Sequence, residues 1–326
     1  MKQTIFAFLF VMCSLNLLAE PDTTWKRGGF ASLNFNQGTF YQWAPGGQSN
    51  VAFSAIFNGY AKYNDGKKTW KNELNLSYGT IRNFNIGAVN QVDNFWLKNE
   101  DRIQLDSRFD LKAQKKFYYS VSANLLSQFD KGFIAPDFVN VQSHFLAPVF
   151  VTIALGFKWK PVEYFEVFLS PAAGRYTYVR LQNLADQGLF GVEGAQKDAS
   201  GNLIAGTGQK FRPEFGASME VNFNKKEVFK NVDLVTNLRL YNNYTDKRKD
   251  NRRNVDVNLT WNLLMKVSKY IGASVIGQLV YDDDILVPQK TAYELDANGL
   301  LKGRVVKSGK GIQLKNILGL GFSYKF

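Results

Sequence analysis

Residues 97–112 read Leu97-Lys98-Asn99-Glu100-Asp101-Arg102-Ile103-Gln104-Leu105-Asp106-Ser107-Arg108-Phe109-Asp110-Leu111-Lys112. The even positions hold Lys98, Glu100, Arg102, Gln104, Asp106, Arg108, Asp110 and Lys112, whereas the odd positions include Leu97, Ile103, Leu105, Phe109 and Leu111. Successive side chains of a strand point to opposite faces. One face of this strand is therefore a ladder of alternating charge, and the other is largely apolar.

The same division recurs along the chain. Val255, Val257, Leu259, Trp261, Leu263 and Met265 alternate with Asn254, Asp256, Asn258, Thr260, Asn262 and Lys266. Phe211, Phe215, Ala217, Met219, Val221 and Phe223 oppose Arg212, Glu214, Ser218, Glu220 and Asn222. Period-two segments fall near 29–37, 50–63, 69–82, 95–112, 117–130, 147–160, 164–179, 210–224, 231–244, 254–267, 271–283 and 312–326, which makes twelve. Their connections alternate. Short ones lie at 64–67, 113–116, 161–163, 225–230 and 268–270, and longer ones at 38–49, 83–94, 131–146, 180–209, 245–253 and 284–311. Even strand number with short periplasmic turns and long outer loops is the pattern of bacterial membrane barrels. Lipid does not solvate charge, so the apolar rows face outward and the charged rows inward.

The chain ends agree with this reading. Lys2 precedes an apolar run that begins Ile5-Phe6-Ala7-Phe8-Leu9-Phe10-Val11-Met12, the layout of a secretory leader with cleavage after Ala19. Ser14 and Asn16 interrupt the run, which is short of the roughly 20 apolar residues of a spanning helix. Phe10, Val11 and Met12 are too large to precede a lipid-modified cysteine, so Cys13, the single cysteine, leaves with the leader. At the other end Leu318, Leu320, Phe322, Tyr324 and Phe326 alternate with Gly319, Gly321, Ser323 and Lys325. A strand ending on a terminal Phe resembles the signal by which outer-membrane assembly machinery recognises its clients. The expected architecture is a signal peptide at 1–19 and one all-β domain at 20–326. That domain is a transmembrane antiparallel up-and-down β-barrel of about twelve strands, with both termini periplasmic, in the outer membrane.

The net charge of +12 invites a nucleic-acid reading, but export past the inner membrane argues against it. With 27 Phe and 15 Tyr the chain is rich in the residues that form a lipid-facing wall and its interfacial girdles.

The expected lumen-lining set is Lys71, Glu73, Lys98, Glu100, Arg102, Asp106, Arg108, Asp110, Lys112, Arg212, Glu214 and Glu220. Neighbouring opposite charges pair, so the lumen is either knitted shut by salt bridges or a polar conduit. Twelve strands lie between filled eight-stranded barrels and sixteen-stranded porins. Outside the wall, Lys247, Arg248, Lys249, Arg252 and Arg253 form a cationic outer loop. It either grips anions such as lipopolysaccharide phosphates or is simply solvated. Loop 180–209, with Gly188, Gly191, Gly194, Gly201, Gly206 and Gly208, reads as a mobile or partly plugging segment. It is no phosphate cradle, because that needs a following helix and none is expected. Asp282, Asp283 and Asp284 lack the spaced oxygens of a calcium loop, and no metal or cofactor is expected. His144, the single histidine, is the residue through which any hydrolase reading must pass, yet Ser143 beside it points the other way.

Trp25, Asn34-Phe35-Asn36-Gln37, Trp43-Ala44-Pro45-Gly46-Gly47, Asn50, Trp70-Lys71-Asn72 and Tyr78-Gly79 resemble a domain-of-unknown-function family of Gram-negative outer-membrane barrels. Asp101-Arg102-Ile103, Ser127-Gln128-Phe129, Ala147-Pro148, Gly156-Phe157-Lys158 and Ser170-Pro171 look like its later landmarks. Pro45 departs from the pattern, where a small residue is expected. The resemblance implies a single barrel domain and carries over no activity and no functional residues. The Trp43 loop reads as a headgroup anchor ahead of a contact point.

Three functions follow in order. The first is passage of small polar or anionic solutes. The second is a closed barrel that meets an envelope protein or aids envelope assembly through loops 180–209 and 284–311. The third, minor reading is a hydrolase using His144. Partners are outer-membrane lipid, lipopolysaccharide, an envelope protein and the barrel-assembly machinery, which reads the strand ending at Phe326.

Overall fold

A computed structural model describes residues 24–38, 49–84, 96–133, 140–268, 271–295 and 301–325. The leader expected at 1–19, the Trp43 loop and Phe326 lie outside them. Twelve strands form one antiparallel sheet: β1 (Trp25–Gly38), β2 (Ser49–Asn64), β3 (Lys68–Phe84), β4 (Trp96–Gln114), β5 (Phe117–Ser127) and β6 (Val149–Val162), then β7 (Phe165–Tyr178), β8 (Phe211–Phe229), β9 (Val232–Asn243), β10 (Asp256–Lys266), β11 (Ile271–Leu295) and β12 (Leu301–Lys325). Each pairs with its neighbours in sequence, and β12 closes on β1, giving a closed up-and-down barrel. Closure leaves no sheet edge along the wall, which a β-structure in lipid requires.

Burial is inverted relative to a soluble protein. Leu33, Leu105, Leu155, Phe157, Leu169, Leu318, Leu320 and Phe322 are exposed, while Glu100, Asp110, Lys158 and Glu214 are buried. Aromatic pairs gather at both ends of the wall. Trp25 packs on Tyr63 and Trp70 at the short-turn end, with ring centroids 5.5 and 6.0 Å apart. Phe53 packs on Phe35 and Trp96 at the long-loop end, at 5.1 and 6.0 Å. Two aromatic belts flanking an apolar band are the outer profile of a membrane barrel.

The β2–β3 turn shows how a short connection is specified. The Asp65 carboxylate accepts the N–H groups of Lys67 and Lys68 at 2.9 and 2.6 Å. Gly66 takes φ +87°, a conformation that costs other residues strain. Those two backbone N–H groups hold the Asp65 carboxyl below its ordinary value.

Two connections differ from the sequence expectation. The turn expected at 225–230 is shorter, because β8 runs on to Phe229 through a bulge between Lys225 and Phe229, with Glu227 at φ +51°. A bulge breaks the period of two, and so hid the strand end. More substantially, the loop expected at 284–311 is mostly a two-stranded ribbon. Beyond Tyr281, β11 pairs only with β12 among the described residues, as far as Leu295 opposite Leu301. Register shifts at Tyr281/Leu286, Pro288/Lys290 and Glu294/Leu295 absorb the Asp run and Pro288, the residues that read as a loop. Among the described residues six register pairs join β1 to β12, Phe30–Phe35 against Leu320–Lys325, whereas β1 and β2 share fourteen.

Candidate functional site: a cross-braced barrel interior

The charged face of β4 reaches strands that are not its neighbours. Arg108 meets Glu166 on β7 at 3.1 Å and Glu220 on β8 at 2.6 Å. Arg239 on β9 meets Asp106 at 2.7 Å. Arg102 donates to Gln278 on β11 at 2.7 Å, and Lys315 on β12 meets Glu100 at 2.7 Å. Such contacts are open only to side chains that project into the barrel interior, so they brace opposite walls.

Burying charge is costly unless every ion is paired and hydrogen-bonded. Here the partners are supplied. Glu220 also accepts the amides of Asn222 and Asn237 at 2.8 and 3.0 Å. Asp106 accepts Gln104 and Asn124 at 2.6 and 2.7 Å. Asp110 pairs with Lys158 and takes the Ser120 hydroxyl at 2.7 Å. Side-chain exposure of 11% for Arg108 and 17% for Glu220, and of 6% for Lys158 and 2% for Asp110, shows that little water reaches these ions. A small apolar shelf of Ala154, Phe168, Ala173 and Tyr241 lies beside it. The Arg108 guanidinium stands 4.8 Å over the Phe168 ring and that of Arg175 3.7 Å over Tyr241, both within cation–π range.

At the long-loop mouth, Arg212 contacts Glu214 at 2.9 Å, Asp284 on β11 at 2.6 Å and the Gly191 carbonyl at 2.9 Å. Loop 180–209 is folded. It contains a helix α1 (Gln182–Asp186) and a 3-10 turn at Leu189–Gly191. Leu184, Ala185 and Val192 are buried against Ala147 and Val179. Asp186 accepts the N–H groups of Gly206 and Gly208 at 2.8 and 2.9 Å, and with Gln182 these hold its carboxyl below the ordinary value. The helix precedes Gly188, and β8 follows Gly208, so no α-helix follows the glycines; at five residues Gln182–Asp186 is too short to produce a helical period in the sequence. The loop starts at β7, and through Gly191 it reaches Arg212 and Asp284. It thus leans inward over the mouth.

The remaining sequence-derived residues fall in several places. Lys71 pairs with Glu73 at 2.6 Å, and Lys112 is exposed at the short-turn end. Lys98 takes no part in the cross-braces. A register shift between Gly79 and Thr80 breaks the β4 alternation beside it. Its ammonium bonds Asp101, Gln128 and Ser143 at 2.8, 2.9 and 3.2 Å, tying down the loop after β5. In the outer loop, Lys247 pairs with Glu193 at 2.8 Å, Arg248 with Asp284 at 2.7 Å, and Arg252 with the Asp246 carbonyl at 2.8 Å, while Lys249 and Arg253 are exposed. The three consecutive aspartates diverge. Asp284 faces arginines, Asp283 takes Lys310 and Asn254, and no metal-ligand group forms among the described residues. His144 Nδ1 meets the Phe145 N–H at 2.7 Å and Arg180 at 3.1 Å, and the Ser143 hydroxyl is turned to Lys98.

Sequence reasoning missed the partners on the opposite walls: Lys158, Glu166, Arg175, Arg239, Asp256 and Lys315. Each sits in a polar row, but which rows meet across the interior depends on strand order and register.

Residues 35–133 match the family described as "Protein of unknown function (DUF3078)", less than a third of the chain. No curated protein matches. Similar solved structures include an outer membrane channel from Pseudomonas putida F1, at 10% identity and TM-score 0.36, covering 95% of this chain and 100% of that one. The translocator domain of the autotransporter NalP from Neisseria meningitidis gives 11%, TM-score 0.32, and coverage of 100% and 95%. An anion-selective porin from Comamonas acidovorans gives 10%, TM-score 0.29, and coverage of 93% and 99%. At these scores the geometry above carries the argument by itself.

Proposed function

We propose that the chain is an outer-membrane β-barrel, exported with a cleaved leader at 1–19 and inserted with both termini periplasmic. Its lumen passes small polar or anionic solutes past a constriction at Arg108, Glu220 and Arg239. The observation that carries the reading is the inversion of polarity: an apolar band with aromatic belts outside, and charged side chains inside. A barrel built only for stability has no use for ions in its interior, since apolar packing there is often as stable or more so. Passage takes place by rearrangement of the cross-bracing pairs. The strand ending at Phe326 engages the assembly machinery, and Lys249 and Arg253 meet lipopolysaccharide phosphates, with Lys247, Arg248 and Arg252 shaping that loop.

A second reading is favoured by one specific observation, the burial of the interior pair Lys158 and Asp110, with Arg108 and Glu220 largely covered beside it. It makes the barrel shut and assigns the work to loop 180–209 and the ribbon of β11 and β12 as a surface for an envelope protein. Single-channel recording in a planar lipid bilayer under a potassium chloride gradient separates the two. Discrete current steps with anion preference support passage. Silence from demonstrably folded barrels supports the closed barrel.

A further inference from the structure

Register places four cations side by side. Lys26 on β1 is directly opposite Lys62 on β2, Lys62 is opposite Lys71 on β3, and Lys71 is opposite Arg108 on β4. Directly opposed residues share a face, and Arg108 reaches across the interior, so all four lie on the inner wall. Like charges in opposed positions are destabilising, and four in succession demand a compensating charge. From the far wall, Lys160 and Lys158 on β6 come within electrostatic reach of Lys62, as does the single carboxylate of Glu166 on β7, although β2 and β6 are four strands apart.

The carboxylates at this level are already engaged. Glu73 is on Lys71, Asp110 on Lys158, and Glu166 on Arg108. Among the described residues none forms an ion pair with Lys26, Lys62 or Lys160. Lys62 and Lys160 are nonetheless half-buried, where an ammonium with no direct ion pair is disfavoured. Tyr60, exposed on the same inner face of β2, adds a hydroxyl donor to the group.

We propose that this belt is a binding site for a small multivalent oxyanion of the phosphate type, seated at the short-turn mouth between Lys26, Lys62 and Lys160. The site deepens the transport reading by naming a substrate class and rests on it for its biological use. Binding itself needs no current. A multivalent anion fits better than chloride because the belt spans four strands on one wall, β1 to β4, and β6 on the other, and one ion with several oxygens neutralises both.

The test is calorimetric titration of the detergent-solubilised, folded barrel with inorganic pyrophosphate. Saturable binding is expected, weakened on the order of tenfold in Lys62→Gln/Lys160→Gln, as for loss of two charges beside a partly buried anion, and unchanged in Lys197→Gln, an exposed loop substitution. Should the double variant not fold, Lys26→Gln at the exposed strand start reads the same loss. The absence of saturable binding, or equal binding by the belt variants, overturns the proposal. Pyrophosphate binding by a barrel that is silent in the bilayer leaves the site standing and removes the transport reading. Current without pyrophosphate binding does the reverse.

Discussion

Arg239 on β9 and Asp106 on β4 meet at 2.7 Å although their strands are five positions apart around the barrel. Pairs of this kind fasten opposite walls to each other, a load that hydrogen bonds between neighbouring strands do not carry. Asp106→Ala leaves Arg239 with Glu220 at 3.9 Å. The substitution should cost roughly 3 kcal/mol, the low end for breaking a buried pair because both groups keep some exposure. Urea unfolding in lipid vesicles measures it.

If the same layer is the constriction, shortening its long cations widens the path. Arg108→Ala/Arg239→Ala is expected to raise single-channel conductance and reduce anion preference together. A conductance equal to that of the unaltered barrel would place the narrowest point elsewhere.

The outer wall has its own test. Leu105 stands on the outward face of β4, between the inward Gln104 and Asp106, and is exposed. Leu105→Arg should lower stability in a bilayer by roughly 2–4 kcal/mol, the cost of a cation near the midplane. A much smaller loss in detergent, which lets a charge reach water, would show that lipid is what the leucine meets.

Gly191 has φ +79°, and a Cβ there would press on the Arg212 guanidinium. Gly191→Ala therefore adds a left-handed penalty of about 1–2 kcal/mol to a steric one at the latch. Limited proteolysis should cut loop 180–209 faster in the variant while the barrel strands remain resistant.

Acid should loosen that loop through Asp186. Its carboxyl is held below the ordinary aspartate value by the Gly206 N–H, Gln182 and the Gly208 N–H. A depressed folded-state value gives stability that is complete above the unfolded value, about 3.9, and is lost as pH falls through the still lower folded one. Amide exchange at Gly206 and Gly208 should therefore rise in that acidic window, and Asp186→Asn should flatten the dependence.

The wall was legible from the residues because a membrane strand repeats every two positions, and Val255 to Leu263 or Met219 to Phe223 show that period without interruption. It failed where the period breaks. The Asp282–Asp284 run and Pro288 read as loop, yet bulges carry the ribbon through them. The charges of β4 announced a polar interior, but Arg239 and Lys315 became their partners only once the sheet closed. The row from Lys26 through Lys62 and Lys71 to Arg108 joins residues up to 82 positions apart, and no local pattern reports register over such a span.

The short ladder between β1 and β12 makes the first and last strands a seam. Until the β1–β12 pairs form, two rows of backbone N–H and C=O groups lie open, and hydrocarbon offers them no partner. A chain stopped before its final strand is thus not a smaller barrel but an open sheet with nowhere to settle. Completion of the wall is therefore tied to β12, and every earlier stage of pairing keeps an open edge.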